Sequence, residues 1–196
     1  MKPYKDFKSE PSISGESEKI PVGAYVAEIY GAKELKYDWG SKLEVLFDIS
    51  NGEYAGFFKK QYDADTNPDK KWKGKYTINV PNEKNQWYEN QVKSFNNFIF
   101  SIEDSNADFK WDWDEKKLKG NLVGIVFREK EILSDDCKSI FIWHEPYTTR
   151  TVDDVLDGKV KEPKKKGLSE RDLKLYNEHT APVDTAATFD DDELPF

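Results

Sequence analysis

The chain has 196 residues, 37% of them hydrophobic and 35% charged, a balance that leaves room for one modest core and excludes two full domains. Aromatics nevertheless reach 14%, with twelve Phe, ten Tyr and six Trp against one Met and one Cys, which excludes a wholly disordered chain and makes rings the main core filler. The net charge of −8 argues against attraction of nucleic acid by the whole surface, but five acids and no Lys or Arg fall in residues 181–196, so the remaining 180 residues carry only −3.

Residues 1–20 are polar and lack a usable period, and are expected to form a loosely ordered arm. Residues 23–35 and 41–50 have strand character. In the second run Leu43, Val45, Phe47 and Ile49 alternate with Lys42, Glu44 and Asp48, which predicts opposite faces. Tyr37, Asp38, Trp39 and Gly40 between them read as a hairpin turn. Residues 54–63 and 75–80 are further predicted strands, separated by a polar loop with Asn67, Pro68 and Asp69. The period then changes: Tyr88, Val92, Phe95, Ile99 and Ile102 fall on one helical stripe, with Asn82 as the expected N-cap.

After an acidic loop over residues 103–115, runs 121–132 and 138–145 return to strand character around a turn at Ser134, Asp135 and Asp136. Residues 152–156 and 168–177 predict two short helices. Between these helices, residues 159–167 hold five Lys and one Glu, a basic linker of net +4. The order is mainly β, a β-barrel with one helix between its third and fourth main strands. That is the plan of an OB-fold-like barrel with residues 64–74 as an inserted loop, although other α+β arrangements fit the same string. The expected divisions are an arm (1–20), the barrel (21–158), a basic linker with a short helix (159–180) and a disordered acidic tail (181–196).

Signatures of catalysis or cofactor binding are scarce. The sequence has no G-x-x-x-x-G-K, G-x-G-x-x-G or H-E-x-x-H pattern, and its lone Cys137 offers neither an intramolecular disulfide nor a Cys-based metal site. Asp63, Asp65 and Asn67 open like a calcium loop, but Pro68 stands at the turn glycine and Gly74 at the bidentate Glu, so a solvated turn is expected. Asp112, Asp114 and Glu115 could hold Mg²⁺ for a nuclease, yet their alternation with Trp111 and Trp113 predicts two inward rings beneath outward acids. His144 lies between Trp143 and Glu145 and reads as a hydrogen-bonded strand residue. No catalytic residue, metal or cofactor is therefore expected. An N-terminus without a signal-like apolar run, and no segment of membrane-spanning length, predict a soluble cytoplasmic protein without a membrane partner.

One constellation interleaves cations with rings. Phe58, Lys59, Lys60 and Tyr62, followed by Lys70, Lys71, Trp72, Lys73, Lys75 and Tyr76, give residues 59–76 six Lys against three Asp. Lysines can follow the phosphates of a single strand while exposed rings stack on its bases. Tyr37, Trp39 and Lys42 extend this candidate surface from the first hairpin, and Arg128, Lys130, Trp143 and Arg150 from the last. Large aromatics are usually buried, so about half of these rings are expected in the core. The tail joins Asp190, Asp191, Asp192 and Glu193 to Leu194, Pro195 and Phe196, a pattern suited to docking a ring and a carboxylate in a partner's basic pocket.

This ending resembles the acidic tip of bacterial single-stranded-DNA-binding proteins, with Glu193 and Leu194 as departures. The body is similar instead to phage-encoded single-stranded-DNA-binding proteins, through Gly23-Ala24-Tyr25-Val26-Ala27, Tyr37-Asp38-Trp39-Gly40-Ser41-Lys42-Leu43, Phe57-Phe58-Lys59-Lys60-Gln61-Tyr62-Asp63, Trp111-Asp112-Trp113-Asp114, and Leu118-Lys119-Gly120 through Val126-Phe127-Arg128. The resemblance implies an OB-like fold, coating of single-stranded DNA during phage replication and recombination in the host bacterial cytoplasm, and recruitment of replication or recombination proteins through residues 190–196. Two other classes remain open from the sequence: an acidic DNA mimic that inhibits a host enzyme, motivated by the −8 charge, and a metal-dependent nuclease.

The tail yields a prediction of its own. Its acids, tethered near Lys-rich surface, should compete with DNA phosphates. Deleting residues 190–196 is expected to tighten oligonucleotide binding at low salt, with the gain fading as ionic strength approaches 0.1 M, where screening acts beyond about 10 Å. Phe196→Ala, which removes no charge, is expected to leave DNA affinity unchanged and to abolish partner capture in a pull-down.

Overall fold

Strict alternation buries Leu43, Val45, Phe47 and Ile49 on the inner face of one strand, and the sheet assembles around it. In the computed structural model, which describes residues 19–180, this is β2 (Gly40–Ile49). It joins β1 (Gly23–Tyr37) through the two-residue turn of Asp38 and Trp39, as the sequence predicts, and pairs on its other side with β3 (Lys75–Asn79). β1 also pairs with β4 (Leu122–Leu133), and β4 with β5 (Ile140–Arg150). These four strand pairings are antiparallel and the order is β3-β2-β1-β4-β5. Among the described residues no ladder joins β3 to β5, although the two edge strands come into contact, so the protein is mainly β with a sheet that hydrogen bonds do not close.

The segment expected as a third strand is instead a helix, α1 (Phe57–Ala64). The cause lies ten residues upstream. Asp48 Oδ1 accepts the N–H groups of Ile49 and Phe58 at 2.9 Å, and Oδ2 that of Lys59 at 3.0 Å. Two of the donors that a helix N-terminus leaves without partners are thus satisfied from β2, and negative charge sits at the favourable end of the helix dipole. Asp48, expected on the outer face of β2, is therefore buried at 1% exposure, a second correction. Phe57 and Phe58 turn into the core, where Phe58 meets Phe47 edge-to-face at 5.4 Å. Gly74 lets the chain return close to β2, since a Cβ there would lie 2.2 Å from the Phe47 carbonyl oxygen.

The long helix α2 spans Tyr88–Ser105 and packs against β3, β4 and β5, beside the seam where the sheet stays open. Its buried stripe is rotated from the expected one, through Gln91, Phe95, Phe98, Ser101 and Ile102. Polar anchors set that rotation: Gln91 Oε1 accepts the Asn82 N–H at 3.0 Å, and Asn97 Nδ2 donates to the Thr149 carbonyl at 3.1 Å. Asn82 does not cap the helix, which begins after Trp87. Its Oδ1 accepts the Lys84 N–H instead.

β4 continues past its pairing with β1, which ends at Phe127, so the β4–β5 hairpin projects as an arm. After α3 (Val152–Leu156) the basic segment returns along the free edge of this arm. Lys166 N–H donates to Glu129 O at 2.9 Å, and Glu131 N–H to Lys166 O at 2.8 Å. The sequence expected a linker here; the backbone forms a strap, because β4 otherwise offers unpaired groups at this edge. Helix α4 (Glu170–Thr180) follows. At the other end Ile20 is buried in the core, and His144 Nδ1–H donates to its carbonyl at 2.6 Å. Residues 1–18 and the tail 181–196 lie outside the described residues. Among the described residues, no helix is long and apolar enough to cross a membrane.

Asp48→Ala is expected to lower unfolding free energy by about 3 kcal/mol, because buried donors lose their acceptor. Asp48→Asn, which keeps one acceptor oxygen, should cost less. Urea denaturation of both variants checks the ordering.

Candidate nucleic-acid interface

The open seam between β3 and β5 forms a cleft of about 590 Å³. At one end Tyr37 and Trp39, placed by the β1–β2 turn, stack at 5.1 Å with planes 10° apart, and Lys42 Nζ lies 5.2 Å from the Trp39 ring centroid. Trp39 is 50% exposed and Trp87, just before α2, 61%. Tyr76 forms part of the wall; burial, with a smaller contribution from Tyr147, pushes its phenol up to about 12, so it stays neutral. Such a cleft offers ring faces beside the amide and hydroxyl groups of Asn85, Asn90, Gln91 and Ser94.

Tyr147 borders both this cleft and a second groove of about 480 Å³, between the outer part of the sheet and the strap. Arg128 lies over the Tyr147 ring at 4.0 Å and grips Glu145 Oε1 through Nε and NH2 at 3.1 and 2.8 Å. Lys130 Nζ holds the other Glu145 oxygen at 3.1 Å. Burial opposes ionisation of Glu145, but the two cations outweigh it and hold the carboxyl below its ordinary value. Arg150, Lys161, Lys164 and Lys166 also line the groove and form no ion pair among the described residues. Lys165 instead pairs with Glu131 at 2.8 Å and pins the strap.

The run of residues 58–76 is divided between core and surface. Phe58 is 7% exposed, so its ring belongs to the core because α1 turns it inward. Trp72 is half-buried, donates Nε1–H to Phe47 O at 3.0 Å and packs between Tyr30 and Tyr62. Lys70 lies 4.4 Å over Tyr62 and donates to its carbonyl; Lys59 pairs with Asp63 at 2.9 Å and Lys75 with Glu44 at 3.3 Å. Lys60, Lys71 and Lys73 remain exposed. Lys73 and Trp143 share a small notch of about 50 Å³ with Lys19, away from the cleft lining. Of the expected residues, the structure therefore brings together Trp39, Lys42 and Tyr76 in the cleft, with Tyr37 stacked on Trp39 beside it, and Arg128 and Arg150 in the groove.

Sequence reasoning missed Trp87, Tyr147, Lys161, Lys164 and Lys166. The basic run was visible, but its return to the sheet is a backbone pairing with no side-chain signal. The Asp63-to-Asn67 segment is the exposed end of α1 and the bend that follows it, in which Asp65 Oδ1 accepts the Asn67 N–H at 2.9 Å. Asp112 pairs with Lys117, and Asp114 caps a short 3₁₀ turn at Glu115–Leu118. Trp111 packs against the core as expected, whereas Trp113 is 72% exposed because its backbone takes φ 69° and leaves the extended alternation. Among the described residues no cluster of three or more His, Cys, Asp or Glu could hold a metal ion. Neither a protein-family model nor a curated protein matches the chain.

Glu145 gives a pH prediction. Its carboxyl is depressed in the folded state, so its contribution to stability is complete above the ordinary glutamate value near 4.5 and is lost as pH falls through the lower folded value. Melting temperature should therefore drop less between pH 5 and 3 in Glu145→Gln than in the parent, in a pair of thermal scans at those pH values.

Proposed function

We propose that the protein is a non-enzymatic, sequence-tolerant single-stranded-DNA-binding protein built on a partly open OB-like barrel. The strand order β3-β2-β1-β4-β5, with a helix entered after β3 at the open seam, matches a five-stranded Greek-key barrel left partly open. In such barrels the face of the second and third strands and the adjoining hairpin loops receive oligonucleotides. Here Trp39, Lys42 and Tyr76 occupy that region.

The observation that carries the proposal is the run of exposed rings, Tyr37, Trp39, Trp87 and Tyr147, leading into a groove lined by unpaired cations. Unpaired bases stack on rings of any neighbouring sequence, and cations follow the phosphates, so affinity arises with little base preference. Coating of strands exposed during phage replication and recombination, in the host bacterial cytoplasm, and recruitment of enzymes through residues 190–196 complete the proposal; they rest on the resemblance of the sequence.

Fluorescence anisotropy with a labelled oligonucleotide, with and without Mg²⁺, is the test. The expected outcome is binding that weakens with salt and leaves the strand uncut. Trp87→Ala and Tyr147→Ala should each cost about 1 to 3 kcal/mol of binding. Lys164→Ala and Lys166→Ala should each lower the salt slope by roughly 0.7. Trp72→Ala, by contrast, should reduce stability more than affinity. Absence of binding at low salt would support the DNA-mimic class, and Mg²⁺-dependent cleavage would support the nuclease.

A further inference from the structure

A second notch, of about 110 Å³, is lined by residues that the DNA reading does not use. Its rings are Phe95, Trp111 and Trp113, and its lining includes Glu34, Glu115 and Leu43. Trp113 lies parallel to Phe95 at 6.0 Å, with planes 10° apart, while Trp111 stands at 55° to Trp113 and 64° to Phe95, also about 6 Å away. The three rings thus enclose the notch from different angles.

Trp113 is held open at a conformational cost. A left-handed φ at a non-glycine residue is strained, and here both neighbours fix it: Asp112 pairs with Lys117, and Asp114 Oδ1 accepts the Lys116 N–H at 3.1 Å. Ring burial does not compensate, since most of the Trp113 surface stays exposed. The two carboxylates are weakly engaged. Glu115 forms no ion pair among the described residues, and Glu34 has only a loose contact with exposed Lys36 at 3.9 Å.

Charge decides what such a ring set can take. The lining carries Glu34 and Glu115 and no Lys or Arg, so the notch opposes a phosphate backbone. A guest that satisfies electron-rich ring faces and carboxylates together is a flat cation. We propose that the notch binds an arginine side chain presented by a partner protein, its guanidinium stacked against the indoles and facing Glu34 and Glu115. The chain then has two interaction sites of opposite chemistry, one for an anionic strand and one for a cationic protein segment. The second stands independently of the first.

The probe is the peptide N-acetyl-Gly-Arg-Gly-amide, titrated into the ¹⁵N-labelled full chain while the indole N–H resonances are followed. The matched peptide with neutral citrulline is the control. Saturable shifts of Trp111 and Trp113 with the arginine peptide alone are expected. Trp113→Ala should weaken this binding roughly tenfold, and Glu115→Gln should weaken it by a smaller factor. Trp113→Gly removes the ring and relieves the strained backbone together, and should give the same loss in a fold at least as stable. Oligonucleotide affinity should be unchanged in all three variants. Equal shifts with citrulline, or none with arginine, would overturn the proposal. So would weakened oligonucleotide binding in Trp113→Ala, which would make the ring a base platform.

Discussion

The buried carboxylate of Asp48 is the constraint on which the rest of the molecule depends. By accepting N–H groups from its own strand and from the first turn of α1, it fixes that helix against β2. Phe57 and Phe58 are thereby committed to the interior, and Phe58 stacks on Phe127 at 6.4 Å from the opposite part of the sheet. A chain with few aliphatic residues can then close its core with rings. The commitment has a functional consequence, because the lysines that follow Phe58 are carried onto a structural shoulder where several pair locally. On the proposed reading, the binding surface is built elsewhere.

It is built where the sheet fails to close. An open antiparallel sheet has two edges, each with unpaired backbone groups that invite aggregation. Here α2 packs beside both edge strands, and the gap left between them is the cleft itself. The arm formed by the end of β4 exposes a further edge, and the strap covers it through its Lys166 backbone. The same backbone pairing that protects the arm brings Lys161, Lys164 and Lys166 to the groove, so edge protection and cation supply come from one segment. Tyr147 connects the two spaces, and Arg128 and Glu145 hold it in place.

What the sequence disclosed follows the range of the interactions involved. β2 and its turn were legible because alternation and turn chemistry are local, and α3 because Thr151 caps it from the adjacent position, accepting the Asp154 N–H at 3.1 Å. The α1 segment was not legible: its cap is Asp48, ten residues upstream on a strand, and rings spaced like Tyr54, Phe57 and Phe58 suit either period. Trp72 looked like a stacking ring because nothing local reveals that its N–H reaches the Phe47 carbonyl. The Tyr37 and Trp39 pair was found because a hairpin turn exposes its residues by construction. Trp87 and Tyr147 were missed because they come to line one cleft only through the packing of α2 beside β5.

On the proposed reading, net charge is a poor guide to the partners of this chain, because its acids do different jobs in different places. Glu145 and Glu131 sit beside the groove, but each is spent on fixing cations: one orients Arg128 over Tyr147 and the other anchors the strap through Lys165. Arg128 is consequently a positioner of the ring, not a free charge. The cations left without an acid in that groove are Arg150, Lys161, Lys164 and Lys166, which on the proposed reading is a small and countable set of phosphate contacts. With roughly 0.7 of salt slope from each single-strand contact, four such contacts imply a slope near 3, modest beside a wholly basic binder. Glu115 lies apart from that groove, at the aromatic notch with Glu34. An overall excess of negative charge is therefore compatible with an anionic ligand, provided the two signs are kept on different surfaces, and this fold brings cations to the groove by folding the basic run of residues 159–167 back onto the sheet.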